Sequence, residues 1–410
     1  MNGVNTADTV FIFLATVLVL VMTPALALFY GGMVRRKNVL STTLHSYGAI
    51  AIVSIQWILL GYTFAFGKDF KGILGGLDFL GLNGVGFAPN ADYAATIPHQ
   101  AFMMFQLMFA IITVALVSGA IAERMKTLAF MLFILLWTTL VYDPLAHWVW
   151  GVGGWLRNLG ALDFAGGNVV HISSGVSGLV AAIILGQRRK KSTVTPHNLT
   201  ITVLGAGLLL FGWYGFNAGS ALAVNDVAFN AFVTTNTAAA AAAISWSIGE
   251  YIHRGKITAL GVASGLVAGL VSITPGAGFV SPMASIAIGA IGGLVCFYSV
   301  TVVKQKMNYD DALDAFGCHG IGGIWGGIAT GIFASKAINP AGADGLIYGS
   351  TQLIIANLIA IVATVAFAAV MTFIITMVIK AIMGIRVTEE DEQVGVDVSN
   401  HGEEAYGGLS

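Results

Sequence analysis

Long apolar runs separated by short polar connections organise this chain. The candidate runs cover residues 9–31, 42–66, 98–122, 127–147, 168–187, 198–221, 228–251, 257–274, 281–303, 315–334 and 350–383. Each approaches the roughly 20 residues that a helix needs to cross a hydrocarbon core, so the pattern predicts eleven membrane-spanning helices. The last run is overlong for one crossing and is expected to tilt or to continue beyond the bilayer.

Composition agrees with that reading. The 410 residues are 57% hydrophobic and only 10% charged, with a mean hydropathy of +0.84. A single water-soluble core cannot absorb so much apolar sequence. The formal net charge of −1 leaves no basic surface for nucleic acid, so no nucleic-acid partner is expected. The two cysteines, Cys296 and Cys318, lie inside apolar runs and read as buried thiols rather than a disulfide framework. The N-terminus lacks the cationic stretch of a secretory signal, so the first run reads as a retained membrane helix.

Charge in the connections supplies an orientation. Alternate loops on one side carry Arg35, Arg36, Lys37, Arg124, Lys126, Arg188, Arg189, Lys190, Lys191, Arg254, Lys256, Lys304, Lys306, Lys380 and Arg386, against only Lys68, Lys71, Arg157 and Lys336 on the other. Basic residues mark the cytoplasmic face, which puts the N-terminus outside and the C-terminus inside. Glycines at small-xxx-small spacing, Gly175 with Gly178 and Gly322, Gly323, Gly326 and Gly327, predict a tight bundle. Residues 1–387 form the expected transmembrane domain. The acidic tail 388–410, with Gly395, Gly402, Gly407 and Gly408, is expected either to be disordered or to dock on the inner face.

Ionisable residues at bilayer depth are costly and therefore point to function. His171 and His319 open the fifth and tenth runs, each preceded by an Asp and a glycine, Asp163 and Asp314 being the nearest acids. That correspondence suggests two inverted five-helix halves, about 9–187 and 198–334, with an eleventh helix appended. Two facing neutral imidazoles can share a proton and offer hydrogen bonds to a small polar solute. Local satisfaction of each ring by backbone remains the plainer alternative. His45, His99 and His147 near span ends, His197 and His253 in loops and His401 in the tail read as interfacially solvated. No His-x-x-x-His spacing for a metal occurs, and no nucleophile–base pair suggests an enzyme.

Asp163 reads either as a helix cap or as a buried charge that lowers the cost of admitting a cation. Trp148, Trp150 and Trp155, with Trp213, Tyr214 and Phe216, cluster on the outward side. Such rings serve an interfacial belt or hold a cation by its attraction to their faces. Phe105 and Phe109 share one helix face.

These features resemble the ammonium transporter family (Amt/MEP/Rh). The resemblance rests on FYGGMVRRKNVL at 29–40, ALDFAGGNVVH at 161–171, GWYGFNAGSA at 212–221, DAFGCHG at 314–320 and VGVDVSNHGEEAY at 394–406. Trp150 together with Trp213 fits the Amt branch. The resemblance implies eleven helices, a homotrimer in the cell membrane with one pore per subunit, and no cofactor. It implies that Trp150, Phe105 and Ser220 recruit ammonium, with Asp163 beneath them. It further implies that Phe109 and Phe216 form a phenyl gate, and that His171 and His319 line a hydrophobic pore beside Trp213. A PII-type signal protein is the implied cytoplasmic partner, for which the basic loops at 35–37 and 188–191 offer charge. A neutral channel for ammonia, carbon dioxide or water and an ammonium sensor are the competing readings. The short tail offers no signalling domain in support of the latter.

Overall fold

The structure, a computed structural model, describes residues 3–189 and 195–407. Lys190, Lys191 and Gly408 fall outside the described residues. Every predicted run coincides with a helical stretch: α1 (Thr6–Met33), α2 (Arg36–Phe66), α3 (His99–Ile121), α4 (127–150), α5 (Gly167–Leu185), α6 (Leu199–Gly219), α7 (Asp226–Arg254), α8 (Ala259–Ile273), α9 (Pro282–Met307), α10 (316–333) and α11 (Gln352–Met383). Among the described residues, nine helices are long and apolar enough to cross a membrane; α8 and α10 are the two expected runs outside that set.

Polar residues just ahead of the apolar runs set several starts. Asn5, Asn198 and Asn225 each accept a hydrogen bond from the backbone amide three residues on, and Thr258 and Ser281 do the same with hydroxyls. Gly255 closes α7 in the left-handed conformation. At 1.5 Å per residue α11 is about 48 Å long, well beyond a hydrocarbon core of about 30 Å, as its overlong apolar run leads one to expect.

Large apolar side chains such as Phe13 on α1, Ile252 on α7 and Val362 on α11 face outward. This is an inside-out pattern suited to lipid or a neighbouring subunit. The link between α2 and α3 holds two short antiparallel pairs, β1 (Asp69–Phe70) with β2 (Leu74–Gly75) and β3 (Pro89–Asn90) with β4 (Ala94–Pro98). These strands escape hydropathy because they are short and lie outside the apolar runs. Cys296 and Cys318 are free thiols; the Cys296 sulfur lies 3.7 Å from the Cys318 carbonyl oxygen.

The tail docks rather than dangling. Asp397 accepts the Leu40 and Ser41 amides at 3.0 and 2.8 Å, and the Val396 amide donates to Asn38. Farther along, the Tyr406 hydroxyl meets His197 Nε2 at 2.8 Å, and Lys37 contacts the Gln393 carbonyl.

Two helices cross at the centre with matching sequence. Gly175 lies four residues after His171, and a β-carbon there would run into the backbone of Gly320 and His319. Gly323 lies four after His319, and its β-carbon would press on Ile172, His171 and the Gly167 carbonyl. Glycine at both positions lets α5 and α10 approach closely enough for their histidines to meet.

Candidate functional site

Each histidine helix begins with a buried carboxylate eight residues ahead of its imidazole. Asp163 Oδ1 accepts the amides of Gly166 and Gly167 at 2.8 and 2.5 Å, and Oδ2 those of Asn168 and Val169 at 2.7 and 3.3 Å. Gly166 adopts a φ of +125°, a conformation that a side chain would strain. Asp311 does the same for α10, accepting Ala315 and Phe316 amides at 3.1 and 2.7 Å. The counterpart of Asp163 is therefore Asp311, not the Asp314 that simple proximity to His319 suggested. In both cases the orphan amides of a helix start receive a negative acceptor.

Both histidines sit in π-helical turns, 167–172 and 316–320, the kind of distortion that re-aims a side chain within a helix. Their Nδ1 atoms face at 3.3 Å, and both rings are buried, at 1% and 5% exposure. His171 stacks on Trp213 and Phe216 with centroids at 5.4 and 6.0 Å. Trp213 is fixed by its indole N–H donating to Thr274 at 2.9 Å.

A vestibule of about 500 Å³ lies on one side of this pair, with Trp150, Asp163, Ser220, Gln106 and Phe109 among its walls. The Trp150 indole donates to the Asp163 carbonyl at 2.9 Å, so one residue holds both the α5 start and the tryptophan. The Ser220 hydroxyl donates to the Phe216 carbonyl at 2.8 Å. Phe109 meets Phe216 at 4.3 Å between centroids and Trp150 at 6.1 Å. Phe105 is fully buried behind Phe109, at 4.9 Å and edge-on, and is not part of the vestibule wall.

Beyond the phenylalanine pair a second cavity is lined by Phe216, Trp213, His171, His319 and aliphatic side chains. Its volume of about 10 Å³ is at the lower limit for a single water. A third cavity of about 60 Å³ shares Phe29, Val267 and His319 with it and opens past Asp314 and Cys318. The three lie in series, wide and polar at one end, narrow and apolar at the histidines. Dry apolar walls raise the cost of an ion far above that of a neutral molecule, whereas paired imidazoles still offer a donor and an acceptor.

Three histidines read as solvated are in fact buried. His45, His99 and His147 show 1%, 4% and 0% exposure. His147 is held between the Ala65 carbonyl and Asp69, and His99 meets the Tyr62 hydroxyl at 2.5 Å. The loop packing that covers His99 and His147 carries no hydropathy signal, whereas His45 is buried between helices, its ring 4.6 Å from that of Phe130 on α4. An ion network was also missed: buried Glu123 accepts from Arg35, Asn38 and Arg188, and Arg188 grips Asp310 at 2.8 Å. Its members had been visible only as loop charge. Among the described residues, no group of three or more His, Cys, Asp or Glu side chains converges as a metal site would require.

Comparison with known proteins places this arrangement among relatives. The sequence model of the Ammonium Transporter Family matches residues 10–406. An ammonium transporter of Bacillus subtilis (strain 168) is 59% identical over 399 residues, covering 97% of this chain and 98% of its own. The crystal structure of Saccharomyces cerevisiae Mep2 superposes with a TM-score of 0.89 at 36% identity, covering 95% of this chain and 89% of that one. A solved sensor Amt protein also superposes at 0.89, with 28% identity and coverage of 96% and 98%.

Proposed function

The chain belongs to the ammonium transporter family and moves ammonium across a membrane as a transporter rather than an enzyme, and from that premise we propose how the cation is handled. Ammonium is captured in the vestibule against the Trp150 ring and the Ser220 oxygen. Asp163 contributes negative potential from beneath, and Phe105 acts by backing Phe109. A cation on an aromatic face gains about 0.5–2 kcal/mol, enough to concentrate it without trapping it.

At the Phe109–Phe216 pair an N–H bond of ammonium breaks. The proton is taken up by the histidine pair and carried across separately, and ammonia keeps the nitrogen lone pair. Ammonia then crosses the narrow cavity past Trp213, held by His171 and His319. Potassium matches ammonium in charge and size but has no proton to give, so the apolar stretch rejects it. The observation carrying this reading is the serial order of vestibule, phenyl pair and imidazole pair. The test is current and ammonia uptake measured together on protein in liposomes. Ammonium-evoked current absent in potassium is expected, and uptake without current would move the reading to a neutral-gas channel.

The architecture proposed with it is eleven spans in two inverted halves, with the N-terminus outside and the C-terminus in the cytoplasm, and a homotrimer in the cell membrane. The repeated Asp, His and Gly at 163, 171, 175 and 311, 319, 323, together with the loop charge asymmetry, support this. A PII-type protein is proposed to dock on the cytoplasmic face at the basic loops 35–37 and 188–191, of which Lys190 and Lys191 lie outside the described residues. Pull-down with and without nucleotide tests that partner. The likeness to a sensor Amt protein keeps an ammonium-sensing reading as the second one; transport by the isolated chain in liposomes separates the two.

A further inference from the structure

Asn357, Thr364 and Thr372 are polar side chains buried in the apolar helix α11, and all three bond to α5 or to the chain leading into it. The Asn357 carboxamide accepts the Leu162 amide at 2.9 Å, one residue before Asp163, and donates to the Gly327 carbonyl of α10 at 2.9 Å. The Thr364 hydroxyl donates to Asn168 Oδ1 at 3.3 Å, and that of Thr372 to the Ser177 hydroxyl at 2.7 Å. Past the end of α11, Arg386 grips the Leu185 and Gln187 carbonyls at 3.1 and 2.8 Å. From its entry to its exit, α5 is splinted by α11 and the residues that follow it.

A threonine hydroxyl inside a helix ordinarily turns back onto its own backbone. Thr113 does so at the Phe109 carbonyl and Thr301 at the Phe297 carbonyl, at 2.5 and 2.6 Å. Those of Thr364 and Thr372 cross to another helix instead. The two crossings land in different surroundings. Asn168 belongs to the π-helical turn 167–172 that carries His171, and its backbone amide is one of the four held by Asp163. Such turns are rare and depend on their surroundings to persist. Asp163 holds the backbone of Asn168 and Thr364 its side chain, so the turn is gripped on both sides of the same residue. Ser177 lies beyond His171 in the regular helix Ser173–Leu185, where no distortion needs support, and its hydroxyl keeps a second partner in the Trp137 indole at 2.9 Å.

We propose that Thr364 is a positioning residue for selectivity: by holding Asn168 it fixes the π turn that aims His171 at His319. The proposal rests on the reading that the histidine pair separates ammonium from potassium. Helix α11, which carries no copy of the repeated Asp, His and Gly pattern, then sets how one imidazole meets the other.

The test uses full-length protein with isotope-labelled histidine, in detergent for nitrogen NMR and in liposomes for currents. Thr364→Val removes the hydroxyl at nearly constant volume and Thr364→Ser keeps it. Thr372→Val removes the other crossing hydroxyl and so controls for general loosening between α5 and α11. The His171 signals, identified by their absence from His171→Asp, should shift in Thr364→Val and stay in place in Thr364→Ser and Thr372→Val. The ammonium-to-potassium current ratio should fall roughly threefold in Thr364→Val, the worth of one hydrogen bond between membrane helices, and stay within about 1.5-fold in the other two. Unmoved His171 signals in Thr364→Val, or an equal movement in either of the other two variants, overturn the proposal. So does an unchanged current ratio in Thr364→Val where His319→Ala lowers it. If His319→Ala itself leaves the ratio unchanged, the histidine reading of selectivity fails, while the placement of His171 by Thr364 is still decided by the signals.

Discussion

The Nδ1 atoms of His171 and His319 face one another at 3.3 Å in a buried setting. A neutral pair in this geometry needs one Nδ1–H donor and one bare Nδ1 acceptor, so the two rings are different tautomers. Their outer Nε2 atoms then differ as well, one accepting and one donating. The His171 Nε2 has no protein partner, leaving it to whatever occupies the narrow cavity. His319→Ala removes half of this arrangement, and His171→Asp replaces a neutral ring by a fixed charge. Either should lower the ammonium-to-potassium ratio by about tenfold or more, the equivalent of about 1.4 kcal/mol for one lost discriminating hydrogen bond. Ion-substitution currents measure it, and an unchanged ratio would make the histidines structural.

Asp163 carries four amides, two on each oxygen. Asparagine keeps one acceptor oxygen and turns an amide group toward the other two N–H donors. Asp163→Asn should therefore destabilise the protein by about 2–6 kcal/mol, from two unsatisfied buried donors at about 1–3 kcal/mol each. Thermal melting in detergent reads this directly. Lost transport with unchanged melting would instead assign Asp163 to the cation's electrostatics alone.

Apolar runs made the helices legible because lipid-facing and buried surfaces are alike in composition. The site was legible where chemistry is rare at membrane depth, at His171, His319 and Asp163. Pairing was harder. Asp314 stands nearer to His319 in sequence, but the eight-residue spacing that caps the helix belongs to Asp311. Phe105 and Phe109 share a helix face, yet only depth in the bundle decides that Phe109 lines the vestibule. His99 and His147 were misread because what buries them is loop packing after α2, which leaves no periodic trace.

Asp310 lies outside the apolar runs, and its carboxyl is held at about 2. Burial alone would raise it; the hydrogen bonds and charge of Arg188, with Arg124 beyond, outweigh that and hold it below the ordinary value. The folded protein therefore favours the charged form. The resulting stability, about 2 kcal/mol, is fully present above the ordinary carboxyl value of about 4 and is lost as pH falls toward 2. Melting temperature in detergent should fall steeply below about pH 4, and Asp310→Asn should flatten that part of the curve while lowering stability at neutral pH. A variant curve parallel to the parent's would show that other carboxylates set the acid limit.

The tail is docked through a small set of polar contacts, two of them made by Asp397. Its two oxygens accept adjacent amides, of Leu40 and Ser41, at the start of α2, a capping arrangement worth about 0.5–2 kcal/mol. Tyr406 adds a hydrogen bond to His197 and lies under the Arg36 guanidinium at 5.7 Å from its ring centre. Asp397→Ala should thus raise the detached fraction of the tail by roughly two- to thirtyfold, and Tyr406→Phe, which keeps the ring under Arg36, by less. The rate of limited proteolysis between residues 388 and 406 follows that fraction when opening is fast. Parent-like cleavage of Asp397→Ala would mean that the apolar contacts of buried Val396, at 1% exposure, hold the tail without it.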